Sequence, residues 1–168
     1  PTTKVWSAIG DARLFSDLPT SMVIDSLGHP LIGRGVGWYG DAIQQIEPAA
    51  PGGWIPLGGG VSYPRRTSWV TAMATLSDGT VAVGGYFAKA GALDSPNLAL
   101  WDPITQRYTT IGTGLAIEPD ALASSAFGTL YAATRVRSAA PGGNGGRCIG
   151  VWATQAPAAP VGATLTAG

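Results

Sequence analysis

The stretch SDGTVAVGGYF, residues 77–87, is the part of the chain that decides the fold. Asp78-Gly79 stands between two runs of apolar and β-branched residues, and this dipeptide is among the strongest local signals for a β-hairpin. Glycine fits there because the tight turn requires a positive φ. The stretch therefore predicts two antiparallel strands joined at Gly79.

The same hairpin recurs on each side of the central one. Its copies lie at 22–33 and 123–133, so that the turn glycines Gly28, Gly79 and Gly128 are 51 and 49 residues apart. Two further elements recur in the same order. They are a strand with an aromatic opening and a glycine exit, at 5–10, 53–58 and 107–112, and a short apolar strand, at 42–46, 97–101 and 148–152. Recurrence at about 50 residues predicts repeats of one four-stranded β unit.

The central copy resembles the kelch-like β-propeller repeat of many bacterial surface and phage tail proteins. Residues 78–87 fit the pattern D-G-x-hydrophobic-x-V-G-G-x-F of that repeat. Its remaining pieces, A-G, N-hydrophobic-A-x-W and W-x-x-hydrophobic-G-x-G, correspond to 90–91, 97–101 and 108–114, with Tyr108 in place of the last tryptophan. The resemblance implies blades of four antiparallel strands, packed face to face, with tryptophan or tyrosine in the layers between them.

The flanking copies fit this pattern more loosely. The first has Gly33-Arg34-Gly35 in place of the glycine pair and Ile46 in place of the tryptophan that ends the third strand. The third copy has Ala132-Ala133 in place of the glycine pair. The resemblance to a propeller blade therefore depends mainly on the central copy.

The predicted fold class is all-β, with three four-stranded antiparallel propeller-like blades. We assign one repeat domain to 1–154 and a Pro/Ala-rich segment to 155–168, either a tail or a terminal strand. Within the domain the repeats span about 11–58, 59–112 and 113–154, and 4–10 is a closing outer strand.

The order of the strands suggests how the blades are completed. With the strands of one unit lettered A to D, the chain runs D, ABCD, ABCD, ABC. Three blades are fewer than the roughly four that known rings need. We therefore expect two chains to close a six-bladed ring, each D strand at 4–10 completing the last blade of its partner. The alternative is that 161–166 supplies the missing strand within the same chain. In that case 4–10 is a spare strand, or the chain is a piece of a larger propeller.

Composition excludes several classes of function. Ten basic and ten acidic residues give a formal net charge of zero, which argues against a nucleic-acid groove or an anionic membrane surface. A hydrophobic content of 45% with 12% charged residues argues against disorder. No run approaches the roughly 18 apolar residues that a membrane span needs.

Catalytic and metal chemistry is not suggested by any motif. The single histidine, His29, lies beside the first hairpin turn, and together with the single cysteine, Cys148, it cannot build a zinc site. Neither a nucleophile elbow nor a phosphate-binding loop is present. We therefore expect a protein that is not an enzyme and that uses no cofactor and no metal.

Aromatic and arginine residues gather in the loops that a propeller would place on one face. Aromatic rings can stack on sugars or peptides, and guanidinium groups can orient them. The candidate ligand-binding residues are Trp38, Tyr39, Tyr63, Arg65, Arg66, Trp69 and Arg137. The alternative is that Trp69 packs at the start of its strand and that the arginines only keep the surface soluble.

Two functions follow from these loops. Because the copies place different residues there, the pattern favours a structural or adaptor module that binds a protein partner and forms a homo-oligomer. Such a module would belong to a phage virion or tail, or to an extracellular or cell-surface assembly. The alternative is a lectin-like propeller that binds glycans through Trp38, Tyr39, Tyr63 and Trp69.

Overall fold

The computed structural model describes residues 19–35, 42–47, 53–136 and 146–152. All regular structure in these ranges is β-strand, so the all-β prediction is confirmed. The same ranges hold no helix that is long and apolar enough to cross a membrane. The strands are β1 (Pro19–Ile24), β2 (Pro30–Arg34), β3 (Ile43–Ile46), β4 (Trp54–Pro56), β5 (Val61–Ser62), β6 (Trp69–Thr75), β7 (Val81–Tyr86), β8 (Lys89–Ala90), β9 (Leu93–Asp94), β10 (Leu98–Asp102), β11 (Arg107–Thr110), β12 (Pro119–Ser124), β13 (Leu130–Val136) and β14 (Gly146–Trp152).

Three antiparallel sheets follow one another along the chain. Sheet 1 has the order β1-β2-β3-β4, sheet 2 has β6-β7-β10-β11, and sheet 3 has β12-β13-β14. Each opens with a hairpin whose turn glycine has a positive φ, 85° at Gly28, 87° at Gly79 and 79° at Gly128. The three predicted hairpins are therefore confirmed.

One feature differs from the predicted repeat. The sequence did not predict a minor sheet of order β5-β8-β9, in which β5 precedes β6 in the chain and β8 and β9 lie between β7 and β10. Sheet 3 has the three strands A to C among the described residues, and its predicted fourth strand, 4–10 of a partner or 161–166, lies outside them. Residues 4–10 and 155–168, assigned to a closing strand and a tail, lie outside the described ranges, and closure into a ring stays a prediction.

The hydrophobic core is divided between two layers. One buried cluster draws its members from sheets 1 and 2, among them Leu31, Ile43, Val70 and Met73. A second draws on sheets 2 and 3, with Ala74, Leu76, Ala82, Leu98, Ile111 and Leu130. Sheet 2 is therefore covered on both faces, and accordingly its second strand, β7, is buried at five consecutive positions.

A β-bulge interrupts the first strand of sheets 1, 2 and 3 at the same position. The pairing skips Thr20 in β1, Thr71 in β6 and Asp120 in β12. A bulged residue is left unpaired in the ladder, so its side chain can be aimed away from the regular pleat. In sheets 1 and 2 the bulged threonine reaches the first strand of the next sheet.

Side-chain hydroxyl groups join the first strands of neighbouring sheets at two repeated positions. The bulged threonine donates forward to the next sheet, and a hydroxyl residue at the end of the strand donates back to the previous one. The four bonds run from Thr20 to the carbonyl of Val70, from Thr71 to that of Pro119, from Thr75 to that of Ile24, and from Ser124 to that of Thr75.

A glycine in the second strand allows the sheets to approach closely. A Cβ atom on Gly33 would lie 2.6 Å from Cγ1 of Val70 in the next sheet. A Cβ atom on Gly84 would lie 2.5 Å from Cγ of Pro119 and 3.0 Å from Cδ1 of Leu122. Real Cβ contacts are not that short, so both positions require glycine at this separation.

Two aromatic residues of sheet 2 fill the layer toward sheet 1, as the resemblance implied. Trp101 is 2% exposed and Tyr108 is 6% exposed, with ring centroids 4.9 Å apart. The Tyr108 hydroxyl donates to the carbonyl of Leu57, 3.0 Å away. Burial raises the pKa of Tyr108, so the phenol stays protonated and remains a donor.

Gly33→Ala should lower the free energy of unfolding by about 1–3 kcal/mol, because the new methyl group would overlap Val70. In a Val70→Ala background the same substitution should cost less, since Cγ1 of Val70, the atom nearest to the new methyl group, is gone. Denaturant unfolding of the four proteins in this cycle measures the coupling. Additive costs would contradict the close approach of the sheets.

Candidate functional site

Three of the predicted binding residues lie close together at the start of β6, the first strand of sheet 2. Tyr63 and Arg66 are paired across a tight turn, and Trp69 begins β6 three residues later. Tyr86, the last residue of β7, lies directly opposite Trp69 in the register of the two strands. Directly opposed aromatic residues on neighbouring strands are close enough to stack.

Tyr86 is the centre of this group, which we call the aromatic cluster (Tyr63, Arg66, Trp69 and Tyr86). Its ring stacks on Trp69 with centroids 4.4 Å apart and on Tyr63 with centroids 4.9 Å apart. The guanidinium carbon of Arg66 lies 5.5 Å from the centroid of the Tyr63 ring. Nη1 of Arg66 donates to the Tyr86 hydroxyl at 3.2 Å.

The contacts of Arg66 fix a positive charge at the rim of the cluster. The hydrogen bond with Tyr86, and then the electrostatic effect of Tyr86 and Tyr63, raise the pKa of the Arg66 guanidinium. The group is exposed to solvent, and a guanidinium has five N–H donors in a rigid fork. The cluster can therefore offer a ligand both aromatic surface and charge-assisted hydrogen bonds.

A groove of about 480 Å³ lies beside the cluster. Tyr63 and Tyr86 form one part of its wall, and Asn97 holds another part in place. The Asn97 amide donates to the carbonyl of Leu115 at 2.9 Å, and its backbone N–H donates to the carbonyl of Phe87 at 3.0 Å. None of the described residues that line the groove is charged.

The corresponding position of sheet 3 carries charges instead of rings. Glu118 precedes Pro119 as Trp69 precedes Val70, and Arg135 follows Thr134 as Tyr86 follows Gly85. Arg135 pairs with Asp120 through Nε at 3.0 Å, and these side chains line a cavity of about 400 Å³. Both partners are more than a third exposed, so the pair adds little to stability.

The remaining predicted residues have different outcomes. Arg65 lies at the exposed tip of the turn with a φ of 60°. Trp38, Tyr39 and Arg137 lie outside the described residues. Trp69 is half-buried against Tyr86, so packing at the start of its strand, the alternative raised from the sequence, is part of its role.

Sequence reasoning missed Tyr86. The available signal was the hairpin register, which can be counted outward from Gly79, but the bulge at Thr71 shifts that count by one residue. Without the bulge, Trp69 would not be placed opposite Tyr86.

Metal and acid–base groups are sparse in the part of the chain that the structure describes. There, no three His, Cys, Asp or Glu side chains lie together in a way that could hold a metal ion. Nδ1 of His29 lies 3.3 Å from Oδ2 of Asp25, whose other oxygen accepts the backbone N–H groups of Leu27 and His29. This arrangement stabilises the first hairpin turn.

Tyr86→Ala should destabilise the protein more than Tyr63→Ala, because it removes two ring stacks instead of one. Each stack contributes about 0.5–1.5 kcal/mol beyond the area that it buries. Denaturant unfolding of both variants measures the difference. Equal losses would mean that Tyr86 is not the centre of the cluster.

No protein-family model matches the chain, and comparison with curated proteins and with solved structures finds no match. The resemblance to kelch-like repeats therefore stays a prediction that depends on the residues quoted above.

Proposed function

We propose that the chain is a non-catalytic structural or adaptor module, which assembles by strand completion and binds a protein partner. The observation that supports this is the inequality of the three sheets. β4 pairs with β3 in sheet 1 and β11 pairs with β10 in sheet 2, but β14, in the same place, has no fourth strand beside it among the described residues. As the kelch-like resemblance implies, such a module would work in a virion or at a cell surface.

The edge of β14 is suited to accept another strand. β14 pairs with β13 at every position from Gly146 to Trp152, and no described strand pairs with its second edge. An open edge presents unpaired backbone N–H and C=O groups, and an added strand supplies their partners. β14 has seven residues, which is long enough for a full-length strand to pair with it.

The best candidate for the added strand is 5–10 of a second copy, which shares its pattern with β4 and β11. In the observed sheets, Ile46 pairs with Trp54, and Trp101 pairs with Tyr108. The same register would pair Trp152 with Trp6 and Val151 with Ser7. The alternative occupant is 161–166 of the same chain. Both segments lie outside the described residues.

Paired cysteines test this register. In a Cys148→Ser background, Ser7→Cys with Val151→Cys should form a disulfide between two chains under mild oxidation. The reason is that paired residues of neighbouring strands have Cα separations that a disulfide can bridge. A non-reducing gel with intact-mass measurement identifies the product.

The matched control is Ser7→Cys with Gly150→Cys, one residue out of register, which places the two thiols on opposite faces. Faster linkage of the Val151 pair than of this control supports the assembly. A disulfide within one chain, or none at all, contradicts assembly by strand exchange.

Glycan binding is the second candidate, favoured by the aromatic cluster and its uncharged groove. If it is correct, Tyr86→Ala and Arg66→Ala should each abolish any reproducible signal on a glycan array. Ile104→Ser is a suitable control, because Ile104 is 76% exposed and does not line the groove. A purified protein that binds no glycan on the array contradicts this second candidate.

A further inference from the structure

The groove beside the aromatic cluster has walls that contacts within the chain hold in place. On one side the rings of Tyr63 and Tyr86 are stacked. On the other side the carbonyl of Pro96 accepts the N–H of Leu115 at 2.8 Å. A Cβ atom on Gly114 would lie 2.3 Å from that carbonyl oxygen, so this wall requires glycine there. A groove that is already formed costs little ordering when a ligand binds.

The floor of the groove, Phe87 and Ala88, presents no open strand edge. Asn97 holds both backbone groups of Phe87, since its Oδ1 accepts the N–H at 3.4 Å and its own N–H donates to the carbonyl at 3.0 Å. The N–H of Ala88 donates to the carbonyl of Ser62, and its carbonyl accepts the N–H of Ser95, each at 2.9 Å. A ligand therefore does not bind here as an added β-strand, which needs unpaired backbone groups.

A proline-rich segment suits this combination of rings and bonded backbone. In the polyproline II conformation a segment has three residues per turn and no internal hydrogen bonds, so prolines at P-x-x-P spacing lie along one ridge. Such ridges dock in grooves lined by aromatic residues. Proline also brings no N–H group to a floor whose own backbone groups are already bonded. The space between the tyrosine wall and Pro96 therefore fits such a segment.

The charges around the groove indicate a second property of the ligand. None of the described lining residues is charged, and nearby Lys89 is paired with Asp94 at 2.6 Å. Arg66 lies beside the groove, against Tyr63 and Tyr86, and a guanidinium has further N–H donors beyond the one that bonds the Tyr86 hydroxyl. A ligand that is uncharged inside the groove and has a carboxylate beside it matches this pattern.

Two segments outside the described residues have the P-x-x-P spacing themselves, 48–51 and 157–160. The first is part of the link that leaves β3 after Ile46, at the hairpin-turn end of sheet 1, whereas the groove lies at the opposite, bulge end of sheet 2. The second lies within 153–168, where no residue is acidic. Within one chain, neither segment therefore brings a carboxylate to Arg66.

We propose that the groove and Arg66 bind a proline-rich segment of a partner protein, held in the polyproline II conformation with an acidic residue next to its prolines. The inference rests on the proposed function, because it specifies the protein partner. It does not involve β14, so binding in the groove and strand exchange can fail separately.

Two labelled synthetic peptides test the proposal, Glu-Pro-Pro-Ala-Pro-Pro and the same sequence reversed, which cover both directions of binding. Fluorescence anisotropy with the full chain measures their dissociation constants. Replacing the prolines with glycine should weaken the better peptide by at least about tenfold, because glycine loses more conformational freedom on binding. Arg66→Gln should weaken it about two- to fivefold, as expected for an exposed ion pair. Arg65→Gln, the matched control at the tip of the same turn, should leave it unchanged.

A charge placed in the groove tests the site without altering the core. Thr113 is exposed and lines the groove, so Thr113→Glu should repel the acidic peptide and weaken binding at least about twofold. Thr110→Glu is the control, because Thr110 is exposed and does not line the groove. Equal effects of the two variants overturn the proposal.

Three further results would overturn it. They are the absence of binding by both peptides at millimolar concentration, equal affinity for the glycine peptide, and tighter binding after removal of the chain's own prolines. Pro48→Gly with Pro51→Gly, and Pro157→Gly with Pro160→Gly, test the last result, since either segment would then be the occupant. The Ser7–Val151 disulfide does not involve the groove, so failure of strand exchange is read independently.

Discussion

The structure depends on how closely neighbouring sheets can approach. A single glycine in the second strand, Gly33 or Gly84, admits side chains of the next sheet that any Cβ would exclude. At that separation the bulged threonine reaches a carbonyl of the next first strand, and a hydroxyl at the end of that strand reaches back. Packing and hydrogen bonding therefore require the same spacing. A larger residue at the glycine would weaken both at once.

This constraint makes the three sheets unequal in what they contribute. Sheet 2 packs one face on sheet 1 and the other on sheet 3, so both of its faces are buried and its second strand is apolar throughout. Sheets 1 and 3 each bury one face within the described molecule. The central copy is also the one whose sequence fits the kelch-like pattern best. A strand covered on both faces has a nearly continuous apolar sequence, as β7 does.

The sequence was sufficient for those features that depend on local chemistry. The turn glycines predicted the hairpins, and the positions of Trp101 and Tyr108 in the repeat predicted aromatic residues between the sheets. The minor sheet could not be predicted from the sequence, because strands of two residues are too short to show a periodic pattern. Tyr86 was missed because a bulge alters the register by one residue, and no local pattern marks where that bulge lies.

The bulge also places residues of the candidate site at equivalent positions in different sheets. It recurs at one position in all three sheets, so the residues just beyond it occupy equivalent places at the same end of the stack. Those places hold two stacked rings, Trp69 and Tyr86, in sheet 2, and two charged groups, Glu118 and Arg135, in sheet 3. The equivalent ends of sheets 2 and 3 therefore carry different chemistry, and they line two different cavities. Protein interfaces combine aromatic and arginine anchors with polar surroundings in this way. Repeated sugar sites would instead need the same ring in each copy, and for this reason we propose a protein partner ahead of a glycan.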